Sequence, residues 1–300
     1  MDRLSVYDKV TASIVHQLEQ GIAPWAKPWG KLGGSPSLPI NAKSGRCYSG
    51  VNVLMLWGTA LDSGFQSNAW LTFKQAQDLG GMVRKGSKGT MIVYADRFVP
   101  AKEKARAERD GDEAHAVPFL KSSYVFALEQ IDGLPLDIMP DVEPLPQHVQ
   151  HDGALTVING SGVAVRHGGD RAFYSPSSDF VQMPVPQSFK DFKDGMTLDY
   201  VRTCMHELVH STGHGSRLAR QFGKRFGDSA YAREELVAEL GSAFLCAALG
   251  IEPTLRHADY LGSWLKVLKA DNKAIFSAAS AASKASDWLL SRAVAVREAA

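Results

Sequence analysis

Residues 206–210 read His-Glu-Leu-Val-His, and no other feature constrains the chain as strongly. On a helix, positions i and i+4 share one face, so His206 and His210 present two imidazoles to one ion, with Glu207 one position round beside the open coordination site. The flanks support a helix over 197–212. Thr197 serves as cap, Asp199 falls in the first turn, Leu198, Val201, Met205 and Leu208 form an apolar stripe, and Gly213 supplies the stop. This arrangement suits a hydrolytic zinc centre, because zinc lowers the pKa of bound water toward ~7 and a nearby carboxylate takes the proton. Glu207 is the candidate for that proton.

A third protein ligand has to come from elsewhere. The longer spacing that adds a third histidine places Ser216 at the required position, and His214 comes two residues early. Downstream, REELVAELGSAFLCAALG puts glutamates on a second helix. Glu235 and Glu239 lie one turn apart, so one can ligate while the other orients a ligand histidine, and Glu234 is a rival. Two histidines and a carboxylate also serve non-haem iron, so spacing leaves the metal open. Zn2+ is expected, with Mn2+ or another divalent ion as the alternative. Tyr231 and His214, close in sequence, are candidate oxyanion stabilisers.

The remainder of the chain divides by composition. Ser5 caps a helix carrying Val6, Val10, Ile14 and Leu18, which Gly21 ends. Residues 22–50 are rich in proline and glycine and form no regular element, a length of loop that is commonly functional or disordered. Thr72 and Gln75 make a capping box for a short helix ending at Gly80-Gly81. Two strand-like runs, TMIVYADRFV and SSYVFALEQ, flank a charged segment that reads as a solvated hairpin tip or insertion. Residues 133–150 hold four prolines, three acids and no lysine or arginine, the composition of a linker. Beyond them, TVINGSGVAVRHGG and RAFYSPSSDFVQMP read as short strands, and four helices follow at about 197–212, 228–249, 254–270 and 274–296.

No run approaches 18 apolar residues and no secretory signal is visible, so no membrane partner is expected. The three cysteines lie far apart without a CxxC pair, which suits reduced thiols and a cytoplasmic location.

Residues 1–100 carry 11 Lys/Arg against 6 Asp/Glu, and four of the six tryptophans fall within the first 70 residues. Single-stranded nucleic acid is held by aromatic platforms for bases and cations for phosphates. The candidates are Lys27, Trp29, Lys43, Arg46 and Tyr48, together with Arg84, Lys85 and Lys88 of a glycine-rich basic turn. Trp25 belongs to the same stretch, whereas Trp57 and Trp70, in apolar runs, read as core.

At the level of family, HELVHSTGH with RLAR and YAREELVAELGSAFLCAALGI resembles the zincin-like metallopeptidase domain of ArdC-type antirestriction proteins. The segment AFYSPSSDFVQMP looks like that family's strand pair beside the active site. VYDKVTASIVHQLEQG through PW, YSGVN, and WLTFKQAQDLGGMVRKGSKG are similar to its N-terminal single-stranded-DNA-binding domain.

The resemblance implies an α+β protein of two domains. Residues 1–132 would form a small α+β ssDNA-binding domain, 133–150 a proline-rich acidic linker, and 151–300 a mainly helical, gluzincin-type domain with a short edge-strand sheet. It selects Glu235 as third ligand, the glutamate followed by Ala238 at +3 and Glu239 at +4, and leaves Glu239 to orient a histidine. The implied activity is protection of incoming plasmid DNA from host restriction, with a zinc-dependent metallopeptidase attached and a restriction enzyme or other DNA-bound protein as its target. The alternatives are a DNA-masking protein with a structural or vestigial metal site, and a DNA-tethered protease acting on DNA-bound proteins.

Overall fold

The computed structural model describes residues 5–26, 36–115, 117–135, 137–138, 145–190, 197–222, 229–255 and 260–299. Helix α1 (Val6–Glu19) starts at a reciprocal cap in which the Asp8 amide donates to Ser5 Oγ and the Ser5 amide to Asp8 Oδ2. After a loop containing β1 (Ile40–Asn41) comes α2 (Val51–Ser63). Helix α2 is apolar at most positions, and its polar side is reduced to Asn52, Thr59, Asp62 and Ser63, so its helical period is faint in the sequence. The YSGVN run explains its seating. Gly50, with φ of +61°, turns the chain into the helix, and Asn52 pairs through its side-chain amide with both the N–H and the C=O of Val93.

Strand β2 (Ala69–Thr72) leads into α3 (Phe73–Asp78) through the expected Thr72–Gln75 capping box, and β3 (Met82–Val83) follows. The long hairpin β4 (Thr90–Phe98) and β5 (Val117–Ala127) completes a four-stranded sheet of order β1-β2-β5-β4, antiparallel except for β1 on β2. The charged segment, expected as a solvated hairpin tip or insertion, lies at the tip of this hairpin as a helix, α4 (Ala101–Asp110). Arg106 pairs there with Glu103 and Asp110 at helical spacing. Strand β6 (Ile131–Asp132) pairs with β3.

The second half opens with α5 (Gln147–Gly160), a correction to the strand expected at TVING and to the expected linker 133–150, whose last four residues are helical. Its β-branched residues are overruled by tertiary packing, with Ala154 and Val157 buried. Strands β7 (Ala164–His167), β8 (Phe173–Ser175) and β9 (Phe180–Met183) form a sheet of order β7-β9-β8, so β8 lies at an edge. Helices α6 (Leu198–Thr212), α7 (Ser229–Ala248), α8 (Leu261–Ala270) and α9 (Ala274–Ala299) follow. The fold is thus a small mixed α+β region joined to a predominantly helical one. Among the described residues, no helix is long and apolar enough to cross a membrane.

A single apolar cluster runs through both halves. Trp25 meets Trp264 edge-on at 5.7 Å, and Trp57 meets Phe244 at the same separation. Thr11 Oγ1 donates to the Asn272 carbonyl, and the Gly50 amide donates to Ser283 Oγ. The fully buried indoles show that each half completes the packing of the other.

Candidate metal centre

Helix α6 begins where the sequence places it, with Thr197 Oγ1 accepting from the Tyr200 amide, and it is buried along most of its length. Helix α7 packs directly on it. Gly241 makes the approach possible, since a Cβ there would stand 2.7 Å from Val209 Cγ1. This contact fixes which residues of the two helices face each other.

They bring His206, His210 and Glu235 together. Glu235 Oε2 lies 3.5 Å from His206 Nε2, and its Oε1 lies 3.6 Å from His210 Nε2. Ligands held 2.0–2.2 Å from one ion at tetrahedral angles stand about 3.4 Å apart, so the observed separations fit a divalent cation. His206 is almost completely buried and His210 nearly so. Three ligand atoms within 4.8 Å of one another form a divalent-metal site.

A different carboxylate stands behind each histidine. His206 Nδ1 faces Glu239 Oε2 at 3.6 Å, and His210 Nδ1 lies 3.2 Å from Glu234 Oε1. Glu234, a rival ligand in the sequence, therefore faces the far nitrogen of His210. Arg220 grips it in a fork, Nη2 to Oε1 at 2.7 Å and Nε to Oε2 at 3.0 Å, while donating to Thr212 Oγ1 and the Val209 carbonyl. This guanidinium both neutralises Glu234 and satisfies a carbonyl at the C-terminal end of α6. Ala219, immediately before it, adopts a left-handed φ of +49°, a strained conformation that over-determined surroundings sustain.

The electrostatics follow from burial and pairing. Burial alone would lower the His210 pKa, but hydrogen bonds to Glu234 and Glu235 push it up to about 10. Burial works to raise the Glu235 and Glu234 carboxyls, yet both are held below the ordinary range, Glu235 by the two histidines and Glu234 by His210 and Arg220. Burial and bonds to Tyr260 and Glu235 raise the Tyr231 hydroxyl, keeping it a donor.

The site opens into a cleft of about 460 Å³ whose wall includes Glu207, Tyr231, Tyr260 and edge strand β8. Tyr231 contacts Tyr260 through their hydroxyls at 3.3 Å. His214 does not line the cleft and turns instead to Ser216 Oγ at 2.8 Å. Beside it, Arg217 binds Asp179 and Tyr174, tying the loop after α6 to the β8–β9 turn. Neither Arg220 nor Arg217 was legible in sequence as part of the site. Only their place in RLAR, a short way beyond the second histidine, marks them.

The nucleic-acid candidates are scattered. Lys27 and Trp29 lie outside the described residues. Trp25 is fully buried. Lys43 pairs with Asp78 at 2.8 Å and Arg46 is exposed. Tyr48 is half-buried against Leu56, Ala60, Trp70, Val125 and Ala127, and its hydroxyl accepts a long 3.5 Å bond from Asn41. Arg84, Lys85 and Lys88 are exposed on one turn, with Arg84 3.9 Å from Asp132.

Comparison with known proteins agrees with this architecture. Residues 5–126 match the N-terminal domain of anti-restriction factor ArdC, and residues 152–281 match a zincin-like metallopeptidase family. The chain superposes on the metal-free crystal structure of the antirestriction ArdC protein from plasmid R388 with a TM-score of 0.80 at 36% identity, covering 97% of this chain and 99% of that one. For the Mn(II)-bound structure of the R388 protein the TM-score is 0.78, at 36% identity and with 97% and 98% covered. Protein y4eC of Sinorhizobium fredii (strain NBRC 101917 / NGR234) is 36% identical over 290 residues, 95% of this chain and 91% of its own length. DNA primase TraC of Escherichia coli is 36% identical over 299 residues, and there the match spans only 27% of the primase.

The Mn(II) of the solved relative corrects one expectation. A zinc-dependent metallopeptidase was expected, and the metal-bound relative carries a harder ion that prefers oxygen ligands. The zinc-peptidase assignment is withdrawn. Glu207 keeps its place on the cleft wall with no reaction assigned to it.

Proposed function

The chain belongs to the ArdC-type antirestriction proteins, and from that membership we propose that it binds single-stranded DNA and protects incoming plasmid DNA by occupying it. The observation that carries this reading is the continuous likeness, over 97% of the chain, to an antirestriction ArdC protein. Residues 1–132 are the proposed DNA-binding part and 147–300, from the start of α5, the metal-holding part, with 133–146 between them. The proposed setting is the cytoplasm, where entering strands first become accessible to restriction.

The metal centre is proposed as a clasp rather than a reaction site. His206, His210 and Glu235 would hold the ion, and Mn(II) is the proposed occupant by analogy with the R388 protein. A bound divalent cation supplies a cross-link between α6 and α7 and a counter-charge for their buried carboxylates. That relative is solved both metal-free and Mn(II)-bound, and this chain fits the two almost equally, which suits an ion that stiffens a formed seam.

The test is protection of transferred DNA at matched expression of wild type, Glu207→Ala and Lys85→Ala/Lys88→Ala. Occupation expects Glu207→Ala to protect as well as wild type and the double lysine variant to protect less. Loss of protection in Glu207→Ala with DNA binding intact would overturn it.

A further inference from the structure

Successive residues of a strand point to opposite faces of the sheet, and β5 splits its side chains accordingly. Val125 and Ala127 are buried against Leu56 and Ala60 of α2. Tyr124 and Phe126 point the other way. Tyr124 is 55% exposed, and Phe73, at the first position of α3, is 49% exposed with its ring 6.4 Å from that of Phe126. Side chains two apart on a strand project from the same face, their backbone positions roughly 7 Å apart, so Tyr124 stands beside Phe126 on the side of the sheet that also carries Phe73.

The basic turn lies against these rings. A Cβ on Gly89 would come within 3.1 Å of both Tyr124 Cβ and Phe126 Cζ, so glycine lets the turn rest on the two aromatics. Its other end is tied down, since Gln130 Nε2 donates to the Lys88 carbonyl and the Arg84 amide donates to the Gln130 carbonyl. Among the described residues, Lys74, Lys85 and Lys88 form no ion pair. Phe126 is half-buried, its ring packed on Leu71, Ala76 and Ile131, and the exposed rings of Phe73 and Tyr124 flank it. Such rings beside ammonium groups that form no ion pair are the elements of a single-strand site, where bases stack and phosphates find cations.

We propose that Phe73, Phe126 and Tyr124 are the base-stacking platform of this protein, with Lys74, Lys85 and Lys88 holding the phosphates alongside. The proposal rests on the reading that the chain binds single-stranded DNA. It puts the platform on the face of the sheet opposite α2, away from Tyr48.

The test uses the full chain and a fluorescent oligothymidylate, with anisotropy titrations at several salt concentrations. Phe73→Ala and Tyr124→Ala alter exposed side chains, and unchanged thermal melting verifies their fold. Each should weaken binding about tenfold at every salt with the salt slope intact, whereas Tyr124→Phe should bind as wild type. Lys85→Ala/Lys88→Ala should flatten the slope by ~1.4, from ~0.7 per phosphate contact on single strands. Tyr94, also exposed but on the α2 side of β4, is the control, and Tyr94→Ala should change nothing. Wild-type affinity in Phe73→Ala and Tyr124→Ala, or a loss confined to Tyr94→Ala, overturns the platform and leaves the DNA-binding reading standing. A wild-type protein that fails to bind the oligonucleotide overturns both.

Discussion

Glu234 changes standing between sequence and structure. On a helical wheel it competes with Glu235 as a ligand; in the fold it stands behind His210 and is locked by Arg220. Partners that orient a metal-binding histidine typically govern 10–100-fold in metal affinity. Glu234→Gln is therefore expected to weaken Mn(II) binding by about that range while Glu235→Ala abolishes it, as titration calorimetry of the two variants would show. Arg220→Ala leaves a buried carboxylate without its main counter-charge and should cost about 3–5 kcal/mol of stability, readable by urea denaturation. The pH dependence has a definite sign. In the metal-free protein the His210 pKa is raised from its ordinary 6.5 to about 10, so its proton stabilises the fold fully below pH 6.5 and ceases to do so as pH rises through 10. An arriving metal must displace that proton. Apparent metal affinity should thus climb by up to tenfold per pH unit between about 6.5 and 10, and affinity that is flat across this window would refute the assignment.

At the level of elements, legibility tracked the source of each signal. Helix α6 was readable because its cap, apolar stripe and stop are all local to residues 197–213. The β8–β9 hairpin was readable from its Ser-Pro-Ser-Ser-Asp turn. Helix α2 was not, because apolar residues fill most of its circumference and leave only a narrow polar side at Asn52, Thr59 and Ser63, and α5 was not, because Thr156, Val157 and Ile158 favour a strand until long-range packing decides. The metal ligands followed from spacing and family likeness, but Arg220 reaches the site from the loop after α6, whose course no local pattern encodes. The seam between α6 and α7 also rests on a residue that sequence left unremarked. Gly241→Ala would drive a methyl into Val209, whose β-branched side chain has little rotamer freedom in a helix. A loss of about 1–3 kcal/mol is expected, with weaker metal binding as Glu235 and Glu239 shift, and Val209→Ala in the same chain should restore part of both. Thermal melts of the single and double variants would decide this.

Across the whole molecule, the two halves are less independent than the acidic, proline-rich stretch between them suggests. Trp25 and Trp57 of the first half are fully buried, and their aromatic neighbours Trp264 and Phe244 belong to the second. A fragment of residues 1–132 would expose both indoles and much of α1. It is expected to keep helical far-ultraviolet dichroism while losing near-ultraviolet signal and binding a hydrophobic dye; a fragment with sharp tertiary signals and cooperative melting would show that the first half needs no partner. The shared core also bears on heredity. A crossover between genes that cut within residues 133–150 would hand each descendant half an interior, and neither product would keep a stable fold. Inheritance should therefore pass this chain on undivided, as a cassette joined to other genes at its ends, with new specificities arising by drift on its exposed sheet face and not by exchange of halves.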